Sequence, residues 1–150
     1  MSRPGLGFGM RHVALFVRDM AACEHFYVDL LGMEVEWRPD EHNVYLSSGG
    51  DNLALHQAEP DMTRDEAAQR LDHIGFFVDS AEAVDQWFAW LNEHQVRMRT
   101  APRTHRDGAR SFYCYDPDGT LVQMIHHPPI SQWEQLKGLN STGVSHRLRR

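Results

Sequence analysis

Two stretches of the chain open on a histidine and continue as β-branched and aromatic runs, "HVALFV" at residues 12–17 and "HIGFFV" at residues 73–78. Neutral imidazole is a natural ligand for Fe, Zn, Ni or Cu. Two further residues of useful chemistry stand in runs of the same character, His56 in "NLALHQ" and Gln123 in "LVQMI". The carboxamide oxygen of Gln123 is a weak additional ligand. Any one of these histidines, taken singly, reads more readily as a partly exposed side chain hydrogen-bonded to backbone. Their recurrence at equivalent points of a repeat is what points to a shared site.

Strand side chains alternate between two faces, so His12, Ala14 and Phe16 share one face and Val13, Leu15 and Val17 the other. The same phase groups His73, Gly75 and Phe77 against Ile74, Phe76 and Val78, and sets Gln123 opposite Val122 and Met124. In "NLALHQ" it sets Ala54 and His56 opposite Leu53 and Leu55. The aliphatic faces are expected to pack on helices. His12, His56, His73 and Gln123 are then expected on the opposite faces, which line a cup if the sheets curve toward each other.

The elements that position these residues also repeat. After the first histidine strand, "MAACEHFYVDLLG" has Ala22, Phe26, Leu30 and Leu31 at helical spacing and Gly32 as a stop. After the second, "DSAEAVDQWFAWLNEHQ" sets Ala83, Trp87, Trp90 and Leu91 on one helical face behind a Ser80 N-cap, so both tryptophans read as helix core. Strand runs follow each helix: "MEVEWRP", "NVYLSS" and "NLALHQ", then "VRMRTAP", "RSFYCY" and "TLVQMI". "SSGGD" and "DPDG" supply the closing turns. The expected fold is α+β: two tandem βαβββ modules forming a cupped mixed sheet with helices on the outer face. Module one spans about 10–58, a polar linker 59–71, module two about 72–128, and a tail 129–150 carries one more helical candidate, "SQWEQLKG".

Composition limits the classes of function. The 150 residues carry 15 Lys and Arg against 21 Asp and Glu, a formal charge of -6 that disfavours nucleic acid or anionic lipid as a partner. The basic end "SHRLRR" reads as a solvated tail. Only Cys23 and Cys114 are present, which excludes a disulfide framework and suits a reducing cytoplasm. Neither a membrane-spanning apolar run nor a secretory signal is visible, so a cytoplasmic protein is expected.

The doubled pattern, with "HVALFV…FYVDLLGMEV" in the first half and "DHIGFFV" with "SFYCYDPDGTLVQMI" in the second, resembles the vicinal oxygen chelate superfamily over about residues 10–128. That superfamily includes glyoxalase I, extradiol dioxygenases, fosfomycin-modifying thiol transferases and bleomycin-binding proteins. The resemblance implies a divalent metal ion (Fe, Mn, Ni or Zn) with His12, His73 and Gln123 at the ligand positions, where Gln123 replaces the usual glutamate. Ala54 occupies the place of the fourth ligand of glyoxalases, and His56 reaches it only by a shift of register. The closest pattern is that of extradiol ring-cleaving dioxygenases. It implies proton transfer and hydrogen bonding to bound oxygen by His56, His105 and Tyr113, with Phe16, Phe77 and Tyr113 against a catechol-like substrate. His105, in the polar loop "RTHRDGARSFY", reads equally as a solvated side chain, and Tyr113 as pocket wall. Fosfomycin modification is disfavoured, because Ala14 replaces a phosphonate-binding hydroxyl and "MIHHPPI" lacks the expected basic residue.

Two other readings stand beside the dioxygenase. One is a glyoxalase-like lyase or isomerase. The other is a binding protein of the bleomycin-resistance type, with Phe16, Trp37, Phe77 and Tyr113 as an aromatic wall around a sequestered small molecule. Modules of this kind commonly pair within or between chains, so a homodimer is expected.

Overall fold

In a computed structural model that describes residues 10–63, 65 and 71–128, the chain divides into two compact units, Met1–Ala68 and Gln69–Arg150. The tail helix candidate and most of the 64–70 stretch lie outside the described residues.

In the first unit, β1 (His12–Val17) leads into α1 (Met20–Glu24), followed by β2 (Glu34–Asp40), β3 (Asn43–Ser47) and β4 (Asn52–Gln57). Asp19 caps α1 by accepting from the Ala22 backbone N–H at 2.9 Å. The helix then widens into a π-helical stretch over His25–Leu30 and ends at Gly32, whose φ of +81° suits glycine. Its buried stripe is Cys23, Phe26, Tyr27 and Leu30. Cys23 and Tyr27 thus belong to the core beside the expected Phe26 and Leu30, while Leu31 is only half-buried.

The strands form one mixed sheet ordered β1-β4-β3-β2, with β1 parallel to β4 and the other pairs antiparallel. Leu15, Val17, Leu53 and Leu55 are buried on the side that packs against α1, while His12, Ala14 and Phe16 face away. Alternation therefore put the right residues on each face. The edge strand β2 is exposed along its whole length and broken by two register shifts, features that protect an edge from further pairing.

The second unit repeats the plan with β5 (Ile74–Phe77), α2 (Ala81–Glu93), β6 (Arg103–Thr104), β7 (Arg110–Tyr115) and β8 (Leu121–His126). Its sheet order is β5-β8-β7-β6, with β5 parallel to β8. Ser80 caps α2 by accepting from Ala83 N–H at 3.1 Å, and Val84 and Leu91 are the helix's buried residues. Phe88 meets Phe112 edge to face at 5.4 Å. The buried stripe is therefore rotated from the expected face: Trp90 is 42% exposed, with its ring 4.0 Å from that of His94. "VRMRTAP" forms no regular strand. Met98 makes an isolated bridge to Cys114, flanked by backbone bonds in which Arg97 accepts from Tyr115 and Arg99 and Thr100 donate to Tyr113, and a regular ladder begins only at Arg103, beyond Pro102, which has no N–H to donate. Arg110 forks onto Asp85 with contacts of 2.6–3.2 Å, tying β7 to α2. Asp116 closes the β7–β8 turn by accepting from Thr120 N–H at 2.8 Å.

Candidate functional site

The open face of the first unit carries two histidines held by the same device. His12 and Asn52 are direct partners across the β1–β4 ladder, and His12 Nδ1 lies 2.6 Å from Asn52 Oδ1. The Asn52 amide nitrogen donates to Glu36 Oε2 at 2.7 Å. An ionised carboxylate only accepts, so the amide must turn its nitrogen to Glu36 and its oxygen to His12. His12 therefore carries its proton on Nδ1 and presents the lone pair of Nε2.

His56 and Asn43 are partners across β3 and β4, with Nδ1 and Oδ1 2.6 Å apart. The Asn43 amide donates to both oxygens of Asp40, at 2.8 and 3.0 Å. The same reasoning sets His56 as the Nδ1–H form. These bonds from Asn43, with a further one from the His42 backbone, hold the Asp40 carboxyl below its ordinary value. Phe16 lies 6.1 Å from the His56 ring, and Tyr45 meets it edge to face at 5.9 Å. Trp37, 58% exposed, stacks on Tyr45 at 5.1 Å.

Asn52 and His56 are four residues apart on β4, roughly 13 Å at about 3.3 Å per residue. His12 and His56 thus serve opposite ends of the face. The register is unshifted, with Ala14 opposite Ala54 and Phe16 opposite His56.

In the second unit His73 stands one residue before β5 and is half-buried. Its Nδ1 lies 2.5 Å from Asp72 Oδ2, another acceptor-only partner, so its Nε2 is also the free nitrogen. Tyr113 meets the His73 ring edge to face, with centroids 5.3 Å apart. Backbone bonds hold Tyr113 on both sides: it pairs with Gln123 on β8, and Thr100 Oγ1 accepts from its N–H at 3.0 Å. Gly75 pairs with Gln123, and a Cβ built on it would lie 3.7 Å from Gln123 Oε1, so the carboxamide runs across the glycine backbone. Phe77 remains 49% exposed on this face. His73, Tyr113, Gln123 and Phe77 are thereby brought to one face of one sheet.

His105 is a half-buried loop residue whose Nε2 lies 3.0 Å from the Ser111 hydroxyl. The Arg103 guanidinium, a donor only, is 3.5 Å from its Nδ1. That arrangement leaves His105 donating to Ser111. The residues that sequence reasoning missed are the anchors Asn52, Glu36, Asn43, Asp40 and Asp72, together with Tyr45. Tyr45 is the first-unit counterpart of Tyr113, since one pairs with Ala54 and the other with Gln123. Aligning "NVYLS" with "SFYCY" would have found Tyr45, and the adjacent "DH" would have found Asp72.

Among the described residues no three His, Cys, Asp or Glu side chains are grouped so as to hold a metal ion. The donors that are present still suit a borderline divalent ion. His12, at the start of β1, and His73, one residue before β5, each have Nδ1 anchored on an acceptor, which leaves Nε2 as the nitrogen for a partner, as in metal-ligating histidines. Gln123 offers an uncharged oxygen.

Two units of one βαβββ plan, each opening on an anchored histidine, define a protein of the vicinal oxygen chelate class. The chain belongs to the Glyoxalase/Bleomycin resistance protein/Dioxygenase superfamily, whose family model matches residues 9–124. It is 33% identical over 118 residues to a metallothiol transferase FosB of Staphylococcus epidermidis, covering 77% of this chain and 79% of that relative. A glyoxalase/dioxygenase of Nostoc punctiforme shares the fold with a TM-score of 0.70 at 24% identity, over 85% of this chain and 97% of that one. The fosfomycin resistance protein FosX of Listeria monocytogenes does so with a TM-score of 0.65 at 21% identity, over 83% of this chain and 97% of that one. Among the described residues no helix is long and apolar enough to cross a membrane.

Proposed function

We propose that the chain is a metal-dependent enzyme acting on a small molecule, and that it transfers a thiol to an oxygen-bearing substrate. The observation that carries the metal reading is the anchoring of His12 Nδ1 by Asn52 and of His73 Nδ1 by Asp72 at matched starts of β1 and β5. The thiol reading rests on the staphylococcal relatives, whose name describes a metal-dependent thiol transferase. This moves the emphasis away from the ring-cleaving dioxygenase that the pattern of His56, His105 and Tyr113 implies.

His12, His73 and Gln123 are the donors assigned to the ion. When bound, a divalent ion polarises the substrate oxygens. The protein supplies the remaining tasks. His56, fixed with Nε2 as acceptor, takes a proton from a group presented beside Phe16. Tyr113 offers its hydroxyl next to His73. Phe16 and Phe77 give apolar surface to the substrate's carbon skeleton. Ala14 and the lack of a lysine or arginine in "MIHHPPI" favour a substrate other than a phosphonate.

The second reading, cleavage of a catechol-like ring, is favoured by the edge-to-face contact of Tyr113 with the His73 ring. It assigns Fe or Mn, whereas thiol transfer is compatible with Mn, Ni or Zn. In either reading a homodimer is the expected assembly and the cytoplasm the expected compartment.

The test is elemental analysis of tag-free protein purified without chelators, repeated on His73→Ala, followed by turnover screens. About one metal ion per chain, lost in the variant, with consumption of a thiol and an oxygenated electrophile, is the expected outcome. Uptake of dioxygen with catechols selects the second reading. No metal after reconstitution, with ligand-dependent tryptophan quenching, leaves a sequestering protein instead.

A further inference from the structure

We propose that Asn52 and Glu36 are positioning residues that fix His12 in its Nδ1-protonated form and so keep Nε2 as the donor atom. The importance of this for metal binding rests on the reading above; the control of the tautomer does not.

The geometry carries the argument. An asparagine amide offers either its oxygen or its nitrogen to a neighbour, so Asn52 alone leaves the His12 tautomer undetermined. Glu36 removes the ambiguity. Its carboxylate accepts from the Asn52 amide nitrogen at 2.7 Å, which leaves the oxygen 2.6 Å from His12 Nδ1. The contact is not a by-product of sheet pairing. Asn52 is on β4, which pairs with β1 and β3, while Glu36 is on β2 at the far side of β3. The Glu36 side chain has to span β3 to reach Asn52, and the sheet holds together through its backbone ladder without that contact. Nor is the arrangement isolated: His56, Asn43 and Asp40 repeat it at the other end of the same face, with the second carboxylate again supplied by β2. The edge strand that makes no aliphatic contribution to the core thus supplies the terminal acceptor for both histidines. An imidazole held this way loses no free energy to tautomer exchange or ring rotation when its Nε2 takes up a partner.

The experiment is a long-range ¹H–¹⁵N correlation spectrum of the full chain labelled at histidine, with His12 assigned from its absence in His12→Gln, paired with Zn²⁺ titration against a chromophoric chelator. The parent should show His12 in the Nδ1–H form. In Asn52→Leu that form should give way to a mixture, and the Zn²⁺ dissociation constant should rise about tenfold. The double variant Asn52→Asp with Glu36→Gln reverses the polarity of the inner bond while keeping an acceptor on His12, so it should restore both signals. Glu36→Leu, which leaves Asn52 in place but frees its amide to flip, should give a mixture on its own and serves if Asn52→Leu does not fold. A parent in which His12 is mainly Nε2–H overturns the proposal. So does a folded Asn52→Leu with the parental tautomer, or a mixed tautomer that the double variant fails to restore. A parent that takes up no Zn²⁺ sinks the metal-site reading, and the tautomer spectra then decide the role of Asn52 and Glu36 by themselves.

Discussion

His73 and Tyr113 meet edge to face, with ring centroids 5.3 Å apart and planes at 85°. The ring and the hydroxyl of Tyr113 therefore have separable effects. Tyr113→Phe keeps the ring against His73 and removes only the O–H, so metal content should stay at the parental level while turnover falls about 10²-fold, the scale of a lost proton-transfer or hydrogen-bonding group. Steady-state kinetics and elemental analysis on the same preparation check it. Unchanged turnover makes Tyr113 pocket wall only.

Gln123 is the neutral member of the proposed donor set. Gln123→Glu adds a charge at nearly constant shape, with Gly75 leaving room beneath the side chain. Divalent metal should then bind more tightly by a factor on the order of ten or more. Gln123→Leu should weaken it. Competition against a chelator measures both, and equal affinities for all three proteins remove Gln123 from the site.

Cys114 is fully buried, and burial, with the nearby Asp116 charge adding to it, pushes its thiol up to about 12 from an ordinary value of 9.0. The folded state thus holds the Cys114 proton more tightly than the unfolded state does. Its contribution to stability is complete below pH 9 and is lost as pH rises from there toward 12. Denaturant midpoints across pH 8–11 should fall less steeply for Cys114→Ala than for the parent. Iodoacetamide at pH 8 should leave Cys114 of the folded protein unmodified and alkylate it on unfolding.

Phe112 is fully buried and meets Phe88 of α2 edge to face. Phe112→Ala should destabilise the second unit by about 3–5 kcal/mol through lost burial and a residual cavity. Urea unfolding followed by tryptophan emission reports it, since Trp87 and Trp90 both lie on α2. A loss below about 1 kcal/mol would show that this site collapses around the smaller side chain.

Much of the architecture was legible from alternation, because a strand with one buried face can carry its aliphatic residues only at every second position. That is why Leu15, Val17, Val122 and Met124 are buried and His12, His73 and Gln123 are not. The failures have equally local causes. Helical spacing admits neighbouring stripes, and packing chose the one with Val84 and Leu91 over the one with Trp90. "VRMRTAP" has strand composition, yet only Met98 forms a bridge there. The register of the parallel β1–β4 pair, which joins residues 40 apart, decided that Ala54 and not His56 stands opposite Ala14.

The sequence by itself determined the repeat, the family, the faces of the strands and the residue types able to bind a metal, all of which follow from local periodicity and short motifs. Tertiary structure alone decided which nitrogen of His12, His56 and His73 is held and which is left for a partner. That choice depends on acceptors such as Asn52 and Glu36, drawn from other strands by the register of the sheet. No local rule of sequence specifies a bond that crosses from β4 over β3 to β2.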